Sequence, residues 1–439
     1  MAGWFVGSFR ESLFANLVFD PPEKITRQIA MYGGHCSLLP LENHPRSIAT
    51  FSPPCPDSTI HTQQRLSNSW TVKSILRNLI FLLAYLIGAL APHAVASGKS
   101  GSDSTRIPGA GVYPLPILFY TPETGIAGGA AALYLYRDSA DQSTRASSIT
   151  GDVIYSEKKQ IIVELNEDIY FDKGAYRLLS NGSYKRFPNS FYGIGNNNSS
   201  AARESYTSRA YSVKMVFYRN VYSRLNVAPL LRYESTSIVE TKPGGLLGSG
   251  FIPGSGGGKV SGAGVVVNWD SRDNTFYAYS GGFYQLTSLF NSRTFGSDFA
   301  YSDFELDCRN FFELLPQQIL AVQTKCSLMT GAIPFQNLSR FGGQDFIRGY
   351  FDGRYRDKTC IGAQVEYRIP IWWRIGASAF AGTAQVSDQL TRWRIDEFKF
   401  AGGAGLRFFL NPKERVAIRI DWGVGENSSG LYITVTEAF

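Results

Sequence analysis

The sequence predicts an all-β fold, a transmembrane antiparallel β-barrel of about 16 strands that follows a signal peptide. Composition is the first of three supporting observations: charged residues make up 18% and aromatic residues 14% of the chain, with 44 Gly and 24 Tyr. A soluble enzyme usually carries about 25% charged residues. The second observation is an export segment. The third is a series of stretches, each of about ten residues, in which apolar and polar residues alternate.

The export segment lies at residues 72–96. Lys73 and Arg77 precede an unbroken apolar run from Leu79 to Ala91, and an A-V-A sequence then ends at Ala96. A basic start, an apolar core of roughly 7–15 residues and an A-x-A site are typical of a secretory signal peptide. The run is shorter than the roughly 20 apolar residues of a membrane-spanning helix. We therefore expect cleavage after Ala96, and an uncleaved anchor is the alternative.

Residues 1–71 read as an irregular extension, with scattered Pro, Ser and His and no clear hydrophobic periodicity. Signal peptides lie at the start of a chain, so a leader of this length before one is abnormal. We interpret the extension as a mis-called start, with translation beginning near Val72. The barrel is accordingly assigned to residues 97–439.

The alternation of apolar and polar residues is clearest between Ile361 and Ile369. The odd positions are apolar or aromatic, and the even positions are Gly362, Gln364, Glu366 and Arg368. In a soluble sandwich the polar face would be rich in lone Lys and Glu, whereas here the polar faces mix both charge signs with Gln, Asn and Gly. Such a mixture is typical of the crowded polar lumen of a barrel, where charges can pair.

Turn residues divide the chain after Ser97 into strands. The predicted strands are Leu115–Thr121, Gly125–Arg137, Ser147–Tyr155, Lys159–Tyr170, Ala175–Lys185, Ser208–Arg219, Arg224–Glu234, Lys259–Asp270, Gly282–Leu289, Phe299–Phe311, Gln318–Thr330, Cys360–Ile369, Gly376–Ala384, Phe398–Phe409, Arg415–Gly425 and Gly430–Phe439. An even number of strands puts both ends of a bacterial barrel on the periplasmic side. The long connections at 187–207, 241–258 and 331–359 are then external, and the short turns are periplasmic.

The final predicted strand ends in Phe439. Leu431, Ile433 and Val435 share its outer face. A terminal aromatic residue on such a strand is the usual signal by which barrels reach assembly machinery, and we assign this role to Phe439. Glu437 shares the outer register, and we expect it near the membrane interface, where a charge costs about 0–1 kcal/mol.

Residues for catalysis and metal binding are scarce. All four His precede residue 97, and neither a C-x-x-C spacing nor a G-x-S-x-G elbow occurs in the barrel segment. Nucleophilic, acid–base and metal chemistry therefore lack their usual residues, and we expect no enzyme, no metal and no cofactor. Lys and Arg number 43 against 36 Asp and Glu, without a basic block, so we expect no nucleic-acid partner.

The segment from Phe341 to Asp357, FGGQDFIRGYFDGRYRD, is the most informative connection. An external loop is ordinarily polar, whereas this one combines glycines with aromatic and aliphatic residues. We expect it to fold back into the lumen, where the Arg348 guanidinium would meet a carboxylate. Glu366, on the inward face of the next strand, is the first candidate partner. The alternative is that Arg348 lies on a solvated surface.

Arg348, Gly349 and Tyr350, within the sequence IRGY, resemble the R-G-F/Y loop signature of the BamA/TamA-type outer-membrane barrels, also called bacterial surface antigen barrels. The stretch Gln364–Arg368 resembles the strand that follows this loop in the family. The loop joins predicted strands eleven and twelve, as it does in the family. The resemblance covers the mature chain and is strongest from Lys259 to Phe439.

The stretch DSRDN, with Asp270, Arg272 and Asp273, resembles the D-x-R-D turn of the same family. Three charged side chains so close together could also suggest a metal site or an acid–base cluster. A turn with local ion pairing is the interpretation we adopt, because turns favour Asp and Asn.

Two features differ from the family pattern. The family carries an Asp in an F-x-D-x-G stretch after the loop as a partner for the loop arginine, whereas Phe380–Ala384 has Gly382 at that place. Arg348 must then depend on Glu366 or another carboxylate such as Asp421. The family's periplasmic repeat domains are also missing, since residues 97–113 form only a short lead containing Gly and Ser.

The resemblance implies a barrel in the bacterial outer membrane that assists insertion or translocation of proteins, or of lipids. It implies a weakened seam between the first and last strands, which accepts client strands by edge pairing. The expected partners are outer-membrane lipid and either unfolded outer-membrane protein clients or a periplasmic partner. The alternative function is a passive porin-like channel, for which about sixteen strands suffice.

Overall fold

The computed structural model describes residues 111–121, 125–136, 147–412, 415–435 and 437–439. The extension expected at residues 1–71 and the signal peptide expected at 72–96 lie outside these ranges. Within the ranges, the helical segments are 3-10 turns of three residues each: Asp172–Gly174, Ser200–Ala202, Leu247–Ser249, Arg293–Phe295, Phe335–Asn337, Leu390–Arg392 and Ile395–Glu397. No helix in the described ranges is long and apolar enough to cross a membrane.

The described residues form two antiparallel β-sheets. The strands are β1 (Gly111–Thr121), β2 (Gly125–Tyr136), β3 (Ser147–Ser156), β4 (Ile161–Phe171), β5 (Tyr176–Phe191), β6 (Glu204–Tyr222), β7 (Leu225–Thr241), β8 (Gly257–Asp270), β9 (Gly281–Asn291), β10 (Tyr301–Leu315), β11 (Gln318–Gly331), β12 (Ser339–Phe341), β13 (Tyr355–Asp357), β14 (Thr359–Trp372), β15 (Ile375–Ser387), β16 (Lys399–Asn411), β17 (Val416–Gly425) and β18 (Ser428–Val435). The large sheet has 16 strands, in the order β1 to β11 and then β14 to β18. β12 and β13 pair with each other within the connection between β11 and β14. The predicted fold class, an all-β barrel of about 16 strands, is confirmed.

Alternation along the strands separates an outer apolar face from an inner polar face. On β14, Gln364 and Glu366 are buried inside, whereas Val365 is 38% exposed on the outer face. On β10, Asp307 is buried inside and Leu306 is 44% exposed outside. The outward apolar side chains match the lipid core, and pairing between strands satisfies the backbone groups that lipid cannot solvate.

Three strands extend further on the external side than the sequence predicts. β5 continues to Phe191, β6 begins at Glu204 and β7 continues to Thr241, so the two external connections between them and β8 are shorter than expected. Polar side chains support this extra pairing, since the Thr207 hydroxyl donates to Glu240 at 2.8 Å. Loop-like polar composition concealed these strands because, outside the bilayer, a paired strand no longer needs an apolar face.

The last strand ends earlier than predicted. β18 stops at Val435, and the expectation that Glu437 lies at the interface and that the strand runs to Phe439 is wrong. Both residues are buried inside the barrel. Arg407 donates to the Glu437 carboxylate at 2.8 Å, and Arg368 donates to the Phe439 carbonyl oxygen at 3.1 Å. Neutralising buried charge therefore outweighs continuing the alternation of the strand.

A seam separates the first and last strands of the large sheet. β1 and β18 lie in contact, but among the described residues no ladder of hydrogen bonds joins them. Pro114 and Pro116 remove two backbone donors from β1. β18 is also short, with 8 residues against 11 in β1. The sheet therefore curves into a barrel whose edges meet without the pairing present elsewhere.

The assignment of outer and inner faces can be tested with one substitution on each face. Leu306→Arg would place a charge against lipid on β10 and is expected to reduce the free energy of unfolding by about 2–4 kcal/mol. Thr287→Arg, on the inner face of β9 beside Glu305, is expected to cost much less. Urea titration of folding into liposomes would measure both, and a greater loss for Thr287→Arg would contradict the assignment.

Candidate functional site

The lumen is divided between a polar cavity and a folded loop. A cavity of about 1060 Å³ lies along β4 to β11, with Asn166, Lys214, Arg309 and Lys325 among its lining residues. The connection between β11 and β14, residues 332–358, packs inside the barrel against β14 to β18. The connection is therefore folded inside the lumen.

An aromatic cluster holds this connection, which we call the plug loop, in a folded state. The hairpin of β12 and β13 brings Phe341 and Tyr355 together with ring centroids 5.2 Å apart. Tyr350 meets Tyr355 edge-on at 5.6 Å. Phe346 and Ile347 complete the buried apolar group, together with strand residues. Packed aromatic pairs of this kind add to the free energy of simple burial, so the plug loop has its own core.

Arg348 lies at the centre of the packed half of the lumen and is 1% exposed. Its guanidinium donates to two carboxylates, Glu366 on β14 and Asp421 on β17. The central carbon of the guanidinium is 3.6 Å from the ring centroid of Phe380 on β15. A planar guanidinium can satisfy two carboxylates and stack on a ring at the same time, which an ammonium group cannot. One loop residue thus contacts three strands.

A buried ion network surrounds Arg348. Its members are Arg348, Arg368, Arg407, Arg419, Glu366, Asp421 and Glu437. Arg407 on β16 donates to Glu366 at 3.1 Å and to Glu437 at 2.8 Å, and it also pairs with Asp421. Arg368 pairs with Glu366 at 2.6 Å, and Arg419 pairs with Asp421 at 3.1 Å. Each carboxylate therefore meets at least two guanidinium groups.

The balance of charge explains why the network is tightly constrained. Four guanidinium groups face three carboxylates. The carboxylate of Asp345 in the plug loop, 3.8 Å from Arg419, is a fourth. Removing one member of a buried ion pair leaves an uncompensated charge and typically costs about 3–5 kcal/mol. The plug loop contributes charges that the strands need, and the strands contribute charges that the loop needs.

Glycines allow the plug loop to lie directly on the backbone of β17. Gly349 has a φ of +119°, and a Cβ atom there would lie 2.8 Å from the carbonyl carbon of Val424. A Cβ atom at Gly423 would lie 2.8 Å from the backbone of Arg348. Only residues without side chains permit this approach and this φ. The glycine next to the loop arginine therefore has a packing role.

Tyrosine hydroxyls connect the plug loop to the final hairpin. The backbone N–H of Gly349 donates to the Tyr432 hydroxyl on β18 at 2.8 Å. The Tyr350 hydroxyl donates to the carbonyl oxygen of Phe400 at 2.7 Å and accepts from the backbone N–H of Glu426 at 2.9 Å. The predicted loop residues Arg348, Gly349 and Tyr350 are thus all anchored to strands on the β18 side of the seam.

The structure brings together the partners that the sequence proposed for Arg348, Glu366 first and Asp421 as the substitute. The family's Asp position, Gly382, instead makes room for the loop, because a Cβ atom there would lie 2.9 Å from Ile347. The residues that sequence reasoning missed are Arg368, Arg407, Arg419, Glu437 and Tyr432. The inward register of the strands could have identified Arg368, Arg407, Arg419 and Tyr432. It does not show which inward residues contact one another.

The D-x-R-D turn is only partly local. Arg272 pairs with Asp270 at 2.8 Å, as expected for a turn. Asp273 instead pairs with Arg415, in the turn before β17, and accepts two backbone N–H groups of its own turn. Burial alone would raise the pKa of Asp273, but these donors hold it below its usual range. The turn therefore reaches across the periplasmic end of the barrel.

Phe439 belongs to the same end of the barrel. Its ring packs with Tyr277 of the β8–β9 connection and with Phe311 and Ile319 of the wall. The Arg368 guanidinium lies 5.6 Å from the ring centroid. The assembly role assigned to Phe439 remains a prediction, and the structure places its side chain inside the folded barrel. Among the described residues, no group of three or more His, Cys, Asp or Glu is arranged to hold a metal ion.

The contact between the plug loop and β17 predicts the effect of Gly349→Ala. The added Cβ atom meets backbone atoms and occupies a φ that alanine avoids, so the loop is expected to detach and become sensitive to protease added outside liposomes. Gly151→Ala is the matched control, because a Cβ atom there meets nothing within 4 Å. Equal digestion of the plug loop in both variants would contradict the packing role of Gly349.

Comparisons with known proteins agree with this architecture. The family model of the Omp85 superfamily domain matches residues 145–425, more than half of the 439 residues. The structure of BamA from Haemophilus ducreyi lacking POTRA domains 1–3 aligns with a TM-score of 0.52 at 13% identity, over 75% of this chain and 69% of that one. CdiB from Acinetobacter baumannii aligns with a TM-score of 0.50 at 11% identity, over 74% of this chain and 59% of that one.

At these identities the two solved structures establish a shared fold and nothing finer. No curated protein matches the sequence. The family model carries the assignment because it covers most of the barrel, including the plug loop and the ion network up to β17. The chain therefore belongs to the Omp85 superfamily and is a bacterial outer-membrane β-barrel of the general insertion and translocation type.

Proposed function

We propose that this barrel assists the insertion or translocation of proteins, or of lipids, in the manner of the BamA/TamA type. The observation that carries the proposal is the unpaired seam between β1 and β18, with the plug loop anchored beside it. A strand edge with free N–H and C=O groups can pair with an incoming strand. That pairing would supply the driving force for a client strand to enter the membrane.

The inner wall next to β1 suits an opening toward lipid. Phe119 of β1 packs on the inner face with Ala127, Ala131, Ile154 and Ile162 of the next three strands. If the seam opens, moving apolar side chains into lipid costs little free energy, whereas moving charged side chains there would cost several kcal/mol. β3 and β4 also bury Asp152, Glu164 and Asp168 on this face, so the composition of a movable wall belongs to β1 and β2, the two strands next to the seam.

The β18 side has the opposite character. Arg348 pairs with β14 and β17, and Gly349 donates to Tyr432 of β18. These contacts brace the strands that end at the seam, while the plug loop makes no comparable ion pair with β1 to β4 among the described residues. Arg348 is thus a positioning residue that keeps one edge fixed while the other edge moves.

The partners that fit this proposal are outer-membrane lipid and either unfolded outer-membrane protein clients or a periplasmic partner. The work required is strand pairing and packing, for which the backbone of the seam is sufficient. The proposal therefore includes no enzymatic step, no cofactor and no nucleic acid.

The alternative function is a passive porin-like channel, and the 1060 Å³ polar cavity is the observation that favours it. At the external ends of β5 to β11, however, a buried apolar cluster packs inside the barrel, and its Met329 and Leu338 line the cavity. Its members are Phe191, Tyr206, Leu247, Val260, Tyr301, Met329, Ile333, Phe335 and Leu338. An open pore needs a continuous polar path, so the insertion proposal has the stronger support.

The test uses the purified protein in liposomes and a client barrel that has been unfolded in urea. The protein is expected to accelerate client insertion over empty liposomes, and Arg348→Ala is expected to lose most of that acceleration because Glu366 and Asp421 lose their loop partner. Arg392→Ala is the control, since Arg392 is an exposed loop residue that pairs with Asp388 at the surface. Gel mobility of the folded client measures the rate.

Two outcomes would count against the proposal. Client insertion that is equally fast in the Arg348→Ala variant would exclude a role for the anchored plug loop. Absence of acceleration together with steady ion conductance across a planar bilayer would favour the channel.

A further inference from the structure

Arg354 differs from the arginines of the ion network. It follows the R-G-Y sequence in the plug loop and is 7% exposed. Across the described ranges its guanidinium has neither a hydrogen bond nor an ion pair, and its Nε atom is buried without a partner. Its guanidinium carbon lies 5.2 Å from the ring centroid of Tyr355. A buried charge is normally paired, so an unpaired guanidinium points to an anion that binds there.

The guanidinium borders a cavity on the external side of the barrel. The cavity measures about 250 Å³ and lies between the β5–β6 connection, the plug loop and the tip of the final hairpin. This volume lies just below the range for drug-sized ligand sites, which begins at about 300 Å³. The space therefore suits a single ring with its substituents and is larger than a bare ion needs.

The charges around the cavity favour an anion. Its lining contains two cations, Arg354 and Lys399, and one carboxylate, Glu426. Glu426 pairs with Lys399 at 3.2 Å, but the Glu426 side chain is 60% exposed, so water screens this pair. The Lys399 Nζ atom lies 5.7 Å from the Tyr355 ring centroid. Both cations thus lie beside one aromatic ring, with a net positive charge between them.

The remaining lining consists mainly of amide and hydroxyl groups. Asn197, Ser200 and Asn427 face the cavity, and their side chains have no hydrogen-bond partner among the described residues. Amides and hydroxyls both donate and accept, which matches the hydroxyl groups of a sugar.

We propose that this external cavity binds a saccharide that carries a phosphate group, with Arg354 and Lys399 holding the phosphate. A guanidinium fork binds two phosphate oxygens at once, and Lys399 adds a point charge. The ligand is either a soluble sugar phosphate or the phosphorylated sugar headgroup of an outer-leaflet glycolipid. Glu426, beside the site, donates its backbone N–H to the Tyr350 hydroxyl. A ligand in the cavity would therefore contact both the plug loop and the final hairpin.

The test measures binding by equilibrium dialysis of the full protein in detergent micelles. Glucose 6-phosphate is expected to bind saturably, and glucose, which lacks the charge, is expected not to bind. R354Q is expected to weaken binding by roughly tenfold or more, because it removes charge-assisted hydrogen bonds. R392Q, which changes an exposed external arginine, is the matched control and is expected to bind as the unaltered protein does.

Lipopolysaccharide in micelles distinguishes the two sources. Competition with glucose 6-phosphate identifies a lipid headgroup, and saturable binding without competition identifies a soluble sugar phosphate. K399Q is the second variant. If R354Q does not show the gel mobility of a folded barrel, the binding of glucose 6-phosphate is compared between K399Q and the unaltered protein. Failure of glucose 6-phosphate to bind, or equal affinity in the folded variants, would overturn the proposal. Inorganic phosphate binding as tightly as glucose 6-phosphate would overturn the saccharide assignment.

Discussion

A positive charge buried in the lumen is the constraint on which the packed half of this barrel depends. Arg348 enters from a loop, and the carboxylates that neutralise it, Glu366 and Asp421, come from strands far apart in the sequence. Those carboxylates also neutralise Arg368, Arg407 and Arg419. None of these groups can leave without exposing another to a medium of low dielectric constant. The network therefore specifies one arrangement of loop and strands rather than simply adding stability.

The two sides of the seam have different physical properties because of this constraint. The strands from β14 to β18 are joined across the lumen by ion pairs and tyrosine hydroxyls, which are directional. The inner faces of β1 and β2 pack through side chains such as Phe119 and Ala131, whose contacts are not directional, and ion pairs such as that of Asp168 with Arg177 lie further from the seam. Apolar contacts can be remade with lipid, whereas a buried ion pair has no substitute there. The β18 edge of the seam is therefore stiff, and the β1 edge is adaptable.

Much of the fold could be predicted because the period of two is a local property of the sequence. Every predicted strand corresponds to a strand of the large sheet, and the plug loop was found from its aromatic and glycine content. The contact of Arg348 with Glu366 could be proposed because Glu366 lies on the inward face of the strand that follows the plug loop. The roles of Arg407 and Tyr432 could not, because the register between distant strands and the loop decides which inward residues meet.

The prediction for the last strand was wrong for a related reason. Alternation continues through Val435 and suggested an outward Glu437, but alternation carries no information about charge balance inside the barrel. Without Glu437, Arg368 and Arg407 would share Glu366 and Asp421 with the two other arginines of the network, and the backbone leaves the strand to supply a third carboxylate. Similarly, polar composition after Lys185 indicated a loop, although backbone pairing does not depend on polarity outside the bilayer.

The burial of Phe439 has a consequence for how the barrel interacts with the machinery that assembles it. In an unfolded chain this ring is accessible, whereas in the finished barrel it packs against Tyr277 and Phe311. If Phe439 carries the expected assembly signal, folding itself hides that signal. A completed barrel would then no longer compete with newly exported chains for the machinery that built it, so each molecule would use that machinery once.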